Sequence, residues 1–259
     1  MSYRPLALVT GASSGIGEAY ARLLACEGHD LWLVARRGDR LHALAGELAS
    51  LGAAARVDVR DLSHPENLMA LSDSIRSEPG LEVLVHNAGF GVRGEVGEAD
   101  SVKLLSMATV HVDATIALTS AAVPAMRERG RGAIVVVASI AGRLVGSGSA
   151  TYCATKAFQI SYTRSLAREV SWKGVSVQAL CPGYTRTEFH DTPEYAHWNR
   201  DSVPRWLWTT AQEVAEASWK HRKREVCVPG WGNRLVWWLA AVPMISWFRE
   251  QFRRRKQGR

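Results

Sequence analysis

The sequence predicts an α/β protein: a doubly wound parallel sheet of about seven strands, with helices on both faces, in a single domain. Three observations carry that expectation. Short apolar runs alternate with segments of helical spacing from residue 6 to residue 229, and such alternation joins parallel strands through helical crossovers. The first run passes straight into the glycine-rich Thr10-Gly-Ala-Ser-Ser-Gly-Ile-Gly17 and then into a helical pattern, the context in which a strand delivers the chain to a phosphate-binding turn. The residues with evident chemistry stand just after apolar runs, where a doubly wound sheet gathers its site.

Leu6 to Val9 reads as a short buried strand. In the turn that follows, Gly11 permits a tight bend, Gly15 lets a pyrophosphate reach the backbone, and Gly17 lets helix and strand pack closely. Ser13, Ser14 and Ile16 complete this loop, and the helix over Glu18 to Ala25 offers free N–H groups to phosphate. The second strand, Asp30 to Ala35, ends in Arg36-Arg37. Arg36 lies 36 − 17 = 19 residues past Gly17, close to where the residue that reads the adenosine ribose is found. An acid there would favour a ribose hydroxyl; two arginines favour a 2′-phosphate, so NADP(H) is expected in preference to NAD(H).

Leu41 to Leu51 has helical spacing, and Ala54 to Val59 is a third strand. Asp58 can accept from an adenine amino group, with Val59 beside it. Leu68 to Ile75 is a helix, and the fourth strand, Leu81 to Val85, runs into His86-Asn87-Ala88-Gly89, a small-residue turn past which a ring can slide. Val102 to Met126 is a long helical stretch containing Pro124. The fifth strand, Ala133 to Ala138, ends at Ser139, whose hydroxyl can donate to a carbonyl oxygen. A helix starting near Thr151 carries Tyr152 and Lys156 four residues apart, hence on one face. A neighbouring ammonium favours the phenolate, so Tyr152 is expected below its reference pKa of ~10, as a general acid/base near neutral pH. Phe158 to Val170 continues that helix. The sixth strand, Val175 to Leu180, leads into Cys181-Pro182-Gly183. The irregular stretch from Tyr184 to Thr210, with Trp198, Trp206 and Trp208, reads as a lid. Glu213 to Lys220 is a helix and Glu225 to Pro229 a seventh strand.

Composition narrows the function. The 259 residues are 47% hydrophobic and 22% charged, enough for a large core. The net charge of +7 is concentrated near the end, from Arg249 to Arg259, which favours a basic tail over a nucleic-acid face; no nucleic-acid motif is present and no such partner is expected. Cys26, Cys153, Cys181 and Cys227 form no C-x-x-C pair and no metal spacing. Free thiols in a reducing, cytoplasmic compartment are expected, with no metal. Cys153 adjoins Tyr152, but helix neighbours point about 100° apart, so it is not assigned a catalytic role. The N-terminus enters a strand directly, so no targeting segment is expected, and no apolar run reaches the ~18 residues of a membrane span.

Two regions follow: residues 1–230 as the dinucleotide-binding and catalytic domain, with its lid at about 184–210, and residues 231–259 as an apolar and basic extension. Within the extension, Leu235 to Phe248 is apolar and broken by Pro243, and Arg249 to Lys256 is basic. Peripheral contact with an anionic membrane, at its inner face, through residues 235–259 is one reading. Packing against the sheet edge, over the site or in an oligomer contact, with the arginines solvated, is the other.

The glycine loop, Asn87-Ala-Gly89, Ser139, Tyr152-Cys-Ala-Thr-Lys156 and Pro182-Gly-Tyr-Thr-Arg-Thr187 together resemble the motifs of the short-chain dehydrogenase/reductase family, over roughly residues 5 to 230. The resemblance implies a Rossmann-like fold and a homodimer or homotetramer. It implies that Tyr152 is the acid/base, that Ser139 polarises the substrate oxygen, and that Lys156 binds the nicotinamide ribose and lowers the phenol's pKa. Cofactor contacts are implied at Asn87, at the backbone of Pro182 and Gly183, and at Thr185 or Thr187. Two positions depart from the family pattern. His86 stands where an Asn is usual. His111 stands where the family has an Asn that shapes its helix so that a backbone carbonyl holds a water linked to the Lys. Histidine keeps the carbonyl, so the helix distortion that presents it is the point at stake, and His111 joins the catalytic positions through that relay. The resulting expectation is an NADP(H)-dependent oxidoreductase interconverting an alcohol with a ketone or aldehyde, its substrate a lipophilic small molecule. The alternatives are a dinucleotide-binding sensor or scaffold with little turnover, and a membrane-surface-associated protein.

Overall fold

The computed structural model describes residues 4–192, 195 and 199–240. Trp198 of the expected lid, and residues 241–259 with Pro243 and the basic run, lie outside the described residues. The strands are β1 (Leu6–Thr10), β2 (Asp30–Ala35), β3 (Ala55–Val59), β4 (Leu81–His86), β5 (Gly132–Val137), β6 (Val175–Leu180), β7 (Thr185–Arg186), β8 (Thr209–Thr210) and β9 (Val226–Cys227). Among the described residues, seven of them form a parallel sheet in the order β3-β2-β1-β4-β5-β6-β9, while β7 and β8 pair only with each other. The order reverses between β1 and β4, so a crevice opens there at the carboxyl ends of the strands.

Helices cover both faces. Alternate strand residues Ala7, Val9, Leu31, Leu33, Val83 and Val85 pack on α1 (Gly15–Cys26), α2 (Gly38–Ser50) and α7 (Ala211–Lys220). Their neighbours Leu8, Trp32, Val34, Leu84 and Ile134 pack on α3 (Pro65–Arg76), α5 (Ala114–Arg129) and α6 (Ala150–Val170). Burial on two faces is why these strands read as unbroken apolar runs. Local chemistry fixes the ends: Pro65 opens α3, Gly130 closes α5 at φ +69°, and Thr210 with Glu213 forms a capping box on α7.

The helical stretch before β5 is one rod from Ser101 to Arg129 with a π turn at Thr109–Asp113 between α4 (Ser101–Ala108) and α5. By length and mean hydropathy it matches a membrane span, although no continuous apolar run does. Its packing against α3, α6, β4 and β5 accounts for its apolar face. The seventh strand is shorter than expected. Ala179 N–H donates to Glu225 O and Cys181 N–H to Cys227 O, both at 2.8 Å, and Pro229 has no N–H with which to extend the ladder. The lid is also more regular than expected, since β7 and β8 tie its two ends together. After Gly230, α8 (Trp231–Leu239) packs on the turn after β5 and on Arg205–Leu207.

The tightest approach is at the glycine loop. A Cβ on Gly17 would lie 2.3 Å from Gly11 O and 2.5 Å from Asn87 Nδ2. Alanine would gain about 1 kcal/mol of helix propensity over glycine, but backbone cannot yield as a flexible side chain can. Gly17→Ala should therefore lose about 1–3 kcal/mol net in urea unfolding; an unchanged midpoint would contradict the approach.

Candidate active site

A cavity of about 1680 Å³ opens at the carboxyl ends of the strands, over the β1/β4 crevice. Ordinary small-ligand pockets hold about 300–1,000 Å³, so this one has room for a dinucleotide and a second molecule. Its nucleotide half is built on Gly11 and Gly15, whose φ of +66° and +57° lie in the left-handed region that favours glycine. Ser13, Ser14 and Ile16 line the same loop, whereas Gly17 lies behind it in the packing of α1.

Thr10 holds the two central strands together at this point. Its Oγ1 accepts from the backbone N–H groups of Asn87 and Ala88, each at 3.0 Å, and donates to His86 Nδ1 at 3.1 Å. His86 then carries its proton on Nε2 and donates to Val110 O at 3.2 Å. Burial holds the His86 imidazolium down at a pKa of about 4, so the ring is a neutral connector. The histidine in the place of the family's usual Asn therefore serves as a bridge from β1 to the π turn. Asn87 Nδ2 donates to the Thr10 and Gly11 carbonyls, both at 3.1 Å, and Asn87, Ala88 and Gly89 all line the cavity.

At the end of β2, Arg36 and Arg37 both line the cavity but differ in setting. Arg36 is exposed, with Asp61 Oδ2 3.7 Å away. Arg37 folds back over the glycine loop and donates to Ser13 Oγ at 3.2 Å and Ser14 Oγ at 2.7 Å. Asp58 and Val59 do not reach the cavity. Strand alternation turns the Asp58 carboxylate aside, where it accepts from Arg60 Nε at 2.6 Å and Trp32 Nε1 at 3.3 Å. Asp61 and Leu62 line the cavity instead. Their signal was position: they lie just beyond β3, as Arg36 lies just beyond β2.

Ser139, Tyr152 and Lys156 come together on one wall of the catalytic half. Ser139 Oγ accepts from Ala141 N–H at 3.1 Å and donates to Pro182 O at 3.4 Å, and Pro182, Gly183, Thr185 and Thr187 also line the cavity. Lys156 Nζ donates to Val137 O at 2.9 Å and Gln159 Oε1 at 2.8 Å. The expected depression of the phenol is not found. Burial pushes Tyr152 above its ordinary value, with the hydrogen bond to Ser139 acting the other way. Lys156 Nζ is 5.8 Å from the Tyr152 ring centroid, two of its N–H groups are engaged by Val137 O and Gln159 Oε1, and burial brings its own pKa from 10.5 to about 7.

His111 is buried on the π turn, so the helix distortion at stake is present. It does not line the cavity. Thr155 Oγ1 donates to Tyr152 O at 2.9 Å and so accepts from His111 Nδ1–H at 3.0 Å. That places the His111 lone pair on Nε2, which faces Gly89 and has no partner among the described residues. Burial, then the Lys156 charge, hold this imidazole well below its ordinary pKa. The His111 carbonyl accepts from Thr115 Oγ1 at 2.6 Å, Gln159 Nε2 donates to Thr115 Oγ1 at 3.0 Å, and Gln159 Oε1 accepts from Lys156. A chain of side chains thus links the lysine to that carbonyl. Sequence reasoning missed Thr115 and Gln159; the available signal was a glutamine on the buried face of α6, three residues after Lys156.

The far end of the cavity carries Phe90, Phe189, Tyr195, Val145, Leu207 and Leu239 on its walls, with Arg93 and His190 packed against Tyr195. Trp206 and Trp208 do not line it: Trp206 stacks on Trp231 at 5.1 Å, and Trp208 packs on Tyr184 at 5.6 Å. The glycine cradle, the cavity's size and the cations at the β2 end fit a nicotinamide dinucleotide.

Comparison with known proteins agrees with this geometry. The family model described as short chain dehydrogenase matches residues 5–195. A 1-deoxy-11-beta-hydroxypentalenate dehydrogenase from Streptomyces exfoliatus is 36% identical over 187 residues, covering 70% of this chain and 67% of its own. The structure of a short-chain dehydrogenase from Sphingobium yanoikuyae in complex with NADPH is 34% identical, with a TM-score of 0.80 over 86% of this chain and 87% of that one. A bulky-bulky ketone specific alcohol dehydrogenase from Comamonas testosteroni is 26% identical, with a TM-score of 0.76 over 99% and 94%.

The buried lysine leaves a mark on stability. Between pH 7 and about 10 an unfolded chain binds the Lys156 proton and the folded protein does not, so this residue makes stability rise with pH through that window. Lys156→Met should cancel that rise, and its stability relative to the wild type should be higher at pH 6 than at pH 9.5. Thermal unfolding across that range checks this; a difference independent of pH would contradict it.

Proposed function

The chain belongs to the short chain dehydrogenase family, oxidoreductases acting on CH–OH groups, and on that premise we propose that it prefers NADP(H) over NAD(H) and interconverts a bulky, lipophilic ketone or aldehyde with its alcohol. The observation that carries this reading is the convergence of Ser139, Tyr152 and Lys156 on one wall of a cavity whose other end holds the glycine loop and Arg37. The loop from Gly11 to Gly17, Asn87 to Gly89, the backbone of Pro182 and Gly183, and Thr185 and Thr187 would hold the dinucleotide, with Arg36 and Arg37 on its 2′-phosphate. When bound, the nicotinamide supplies or accepts the hydride. Ser139 donates a hydrogen bond to the substrate oxygen, and Tyr152 gives that oxygen its proton in reduction and takes it in oxidation. Lys156, held by Val137 O and Gln159, places a positive charge near the phenol while it is protonated, and that charge fades as pH rises through about 7. His111 is placed behind this wall as a positioning residue, through Thr155 and its carbonyl.

The apolar far end of the cavity supports a lipophilic substrate, as do relatives named for a bulky-bulky ketone and for hydroxypentalenate. The free thiols support a cytoplasmic setting. Exposed Val102, Leu105 and Ile116 on the rod support a homodimer or homotetramer. Turnover is read from NADPH and NADH absorbance over a panel of bulky ketones and aldehydes. Tyr152→Phe should lower it by about 10²-fold or more while NADPH binding stays within about threefold; substantial residual turnover at neutral pH would overturn the assignment of Tyr152.

A second reading concerns where the enzyme works. Trp231, Leu235, Trp238 and Leu239 on α8 are exposed, Trp238 by 70%, and Leu239 also lines the cavity. This favours peripheral contact with an anionic membrane through residues 235–259, with the cavity mouth turned to a lipid-dissolved substrate. Full-length protein should co-sediment with anionic liposomes at low salt and be released at high salt; protein that stays in the supernatant at low salt rejects the contact.

A further inference from the structure

Beside the glycine loop, an anion seat is occupied by a carboxylate of this chain. Glu188 lies in the turn Glu188–His190, on the stretch between β7 and β8. Its two oxygens are shared between two guanidinium groups: Arg37 Nη1 donates to Oε2 at 2.8 Å, and Arg40 Nη1 to Oε1 at 2.6 Å. Arg37 also holds the Ser13 and Ser14 hydroxyls. Ser14, Arg37 and Glu188 all line the cavity, and Arg40 stands one helical turn behind Arg37 on α2. The adjacent Thr187 packs on Gly15, where a Cβ would meet its Cγ2 at 2.9 Å. The Glu188 carboxylate therefore sits over the glycine loop, between the cations a 2′-phosphate would seek.

We infer that Glu188 is a built-in competitor for the cofactor's 2′-phosphate: the phosphate binds by displacing this carboxylate from Arg37 and Arg40, and Arg40 is part of its seat. The inference rests on the NADP(H) reading above and deepens it. Both arginines and Glu188 are close to half exposed, and exposed ion pairs of this kind are individually weak. A phosphate brings more charge and three acceptor oxygens to the same bidentate donors. The exchange is thus downhill for a dinucleotide with the 2′-phosphate. One without it leaves Glu188 in place. Glu188 weakens the absolute affinity for the phosphorylated cofactor while its arginines remain fixed in position to receive it. Arg36, which faces Asp61 and not Glu188, lies outside this competition.

The probes are adenosine 2′,5′-bisphosphate and 5′-AMP, which share every group except the 2′-phosphate, titrated calorimetrically into the full-length protein. The readout is the ratio of the two dissociation constants, 5′-AMP over adenosine 2′,5′-bisphosphate. Glu188→Gln, isosteric and on an exposed turn, should raise that ratio about three- to tenfold, the range set by removing one or two weak exposed pairs. In the E188Q background, Arg40→Gln should lower it about threefold or more. A ratio that is unchanged or reduced in E188Q overturns the competition, and an Arg40→Gln variant without effect in that background overturns the seat. A wild-type ratio near one has a different meaning: it rejects the NADP(H) reading itself.

Discussion

The arrangement of the catalytic wall depends on the burial of Lys156. An ammonium out of contact with water must be met by acceptors. Here they are the carbonyl at the end of β5 and the Gln159 side chain, at 2.9 and 2.8 Å. The carbonyl ties the lysine to the sheet. The glutamine ties it through Thr115 to the π turn, so the distortion of the rod and the seat of the charge form one structure. A second cation in the same volume is excluded. Both His86 and His111 are held neutral by burial, with Lys156 adding to the effect, and each acts as an oriented connector. This is why two histidines can replace the asparagines of the family pattern without breaking the wall.

The same logic explains the crevice. At a topological switch point the crossovers leave β1 and β4 in opposite directions, so their ends must be joined by something other than helix packing. Thr10, His86 and Asn87 make that join with a hydroxyl, a neutral imidazole and an amide. The join draws Asn87 so close to Gly11 and Gly17 that neither glycine has room for a Cβ. The floor of the nucleotide half is therefore backbone and amide, a polar surface of the kind a pyrophosphate requires.

Much of this was legible in the sequence because it rests on short-range patterns. Asp30–Ala35 and Val175–Leu180 have the bounds read from their mainly apolar runs, since a parallel strand buried on both faces is apolar along most of its length. Ser139, Tyr152 and Lys156 were found because turn and helix spacing place them together. What the sequence did not disclose depends on distance and direction across elements. Asp58 and Asp61 differ by three positions, but Asp58 within β3 turns aside to Arg60 and Trp32 while Asp61, past the strand's end, lines the cavity. The place of Trp206 against Trp231 is a contact between the lid and α8. Gln159 reads as an ordinary helix residue until the rod is packed beside it. Helical spacing also placed Lys156 on the face of Tyr152, but spacing fixes neither where the ammonium points nor how much water surrounds the phenol, and those two quantities set the pKa.

The raised phenol and the lowered lysine are two results of one environment. Burial penalises each charged form taken singly, so the wall favours a neutral phenol, and the ammonium weakens as pH passes about 7. In the role proposed for Tyr152, reduction asks the phenol to surrender its proton to the substrate oxygen, which would leave a phenolate in the same low-dielectric volume. A lone phenolate there is costly; one facing an ammonium is compensated, because opposite charges attract more strongly away from water. In that proposal the proton on Lys156 decides whether Tyr152 can act, although the ammonium stands 5.8 Å from the ring centroid. Ser139 lowers the cost from the other side by its bond to the phenol. The wall's chemistry lies in the sum of its charges, and Val137 O and Gln159 Oε1, which hold the ammonium in place, are as much a part of it as the phenol itself.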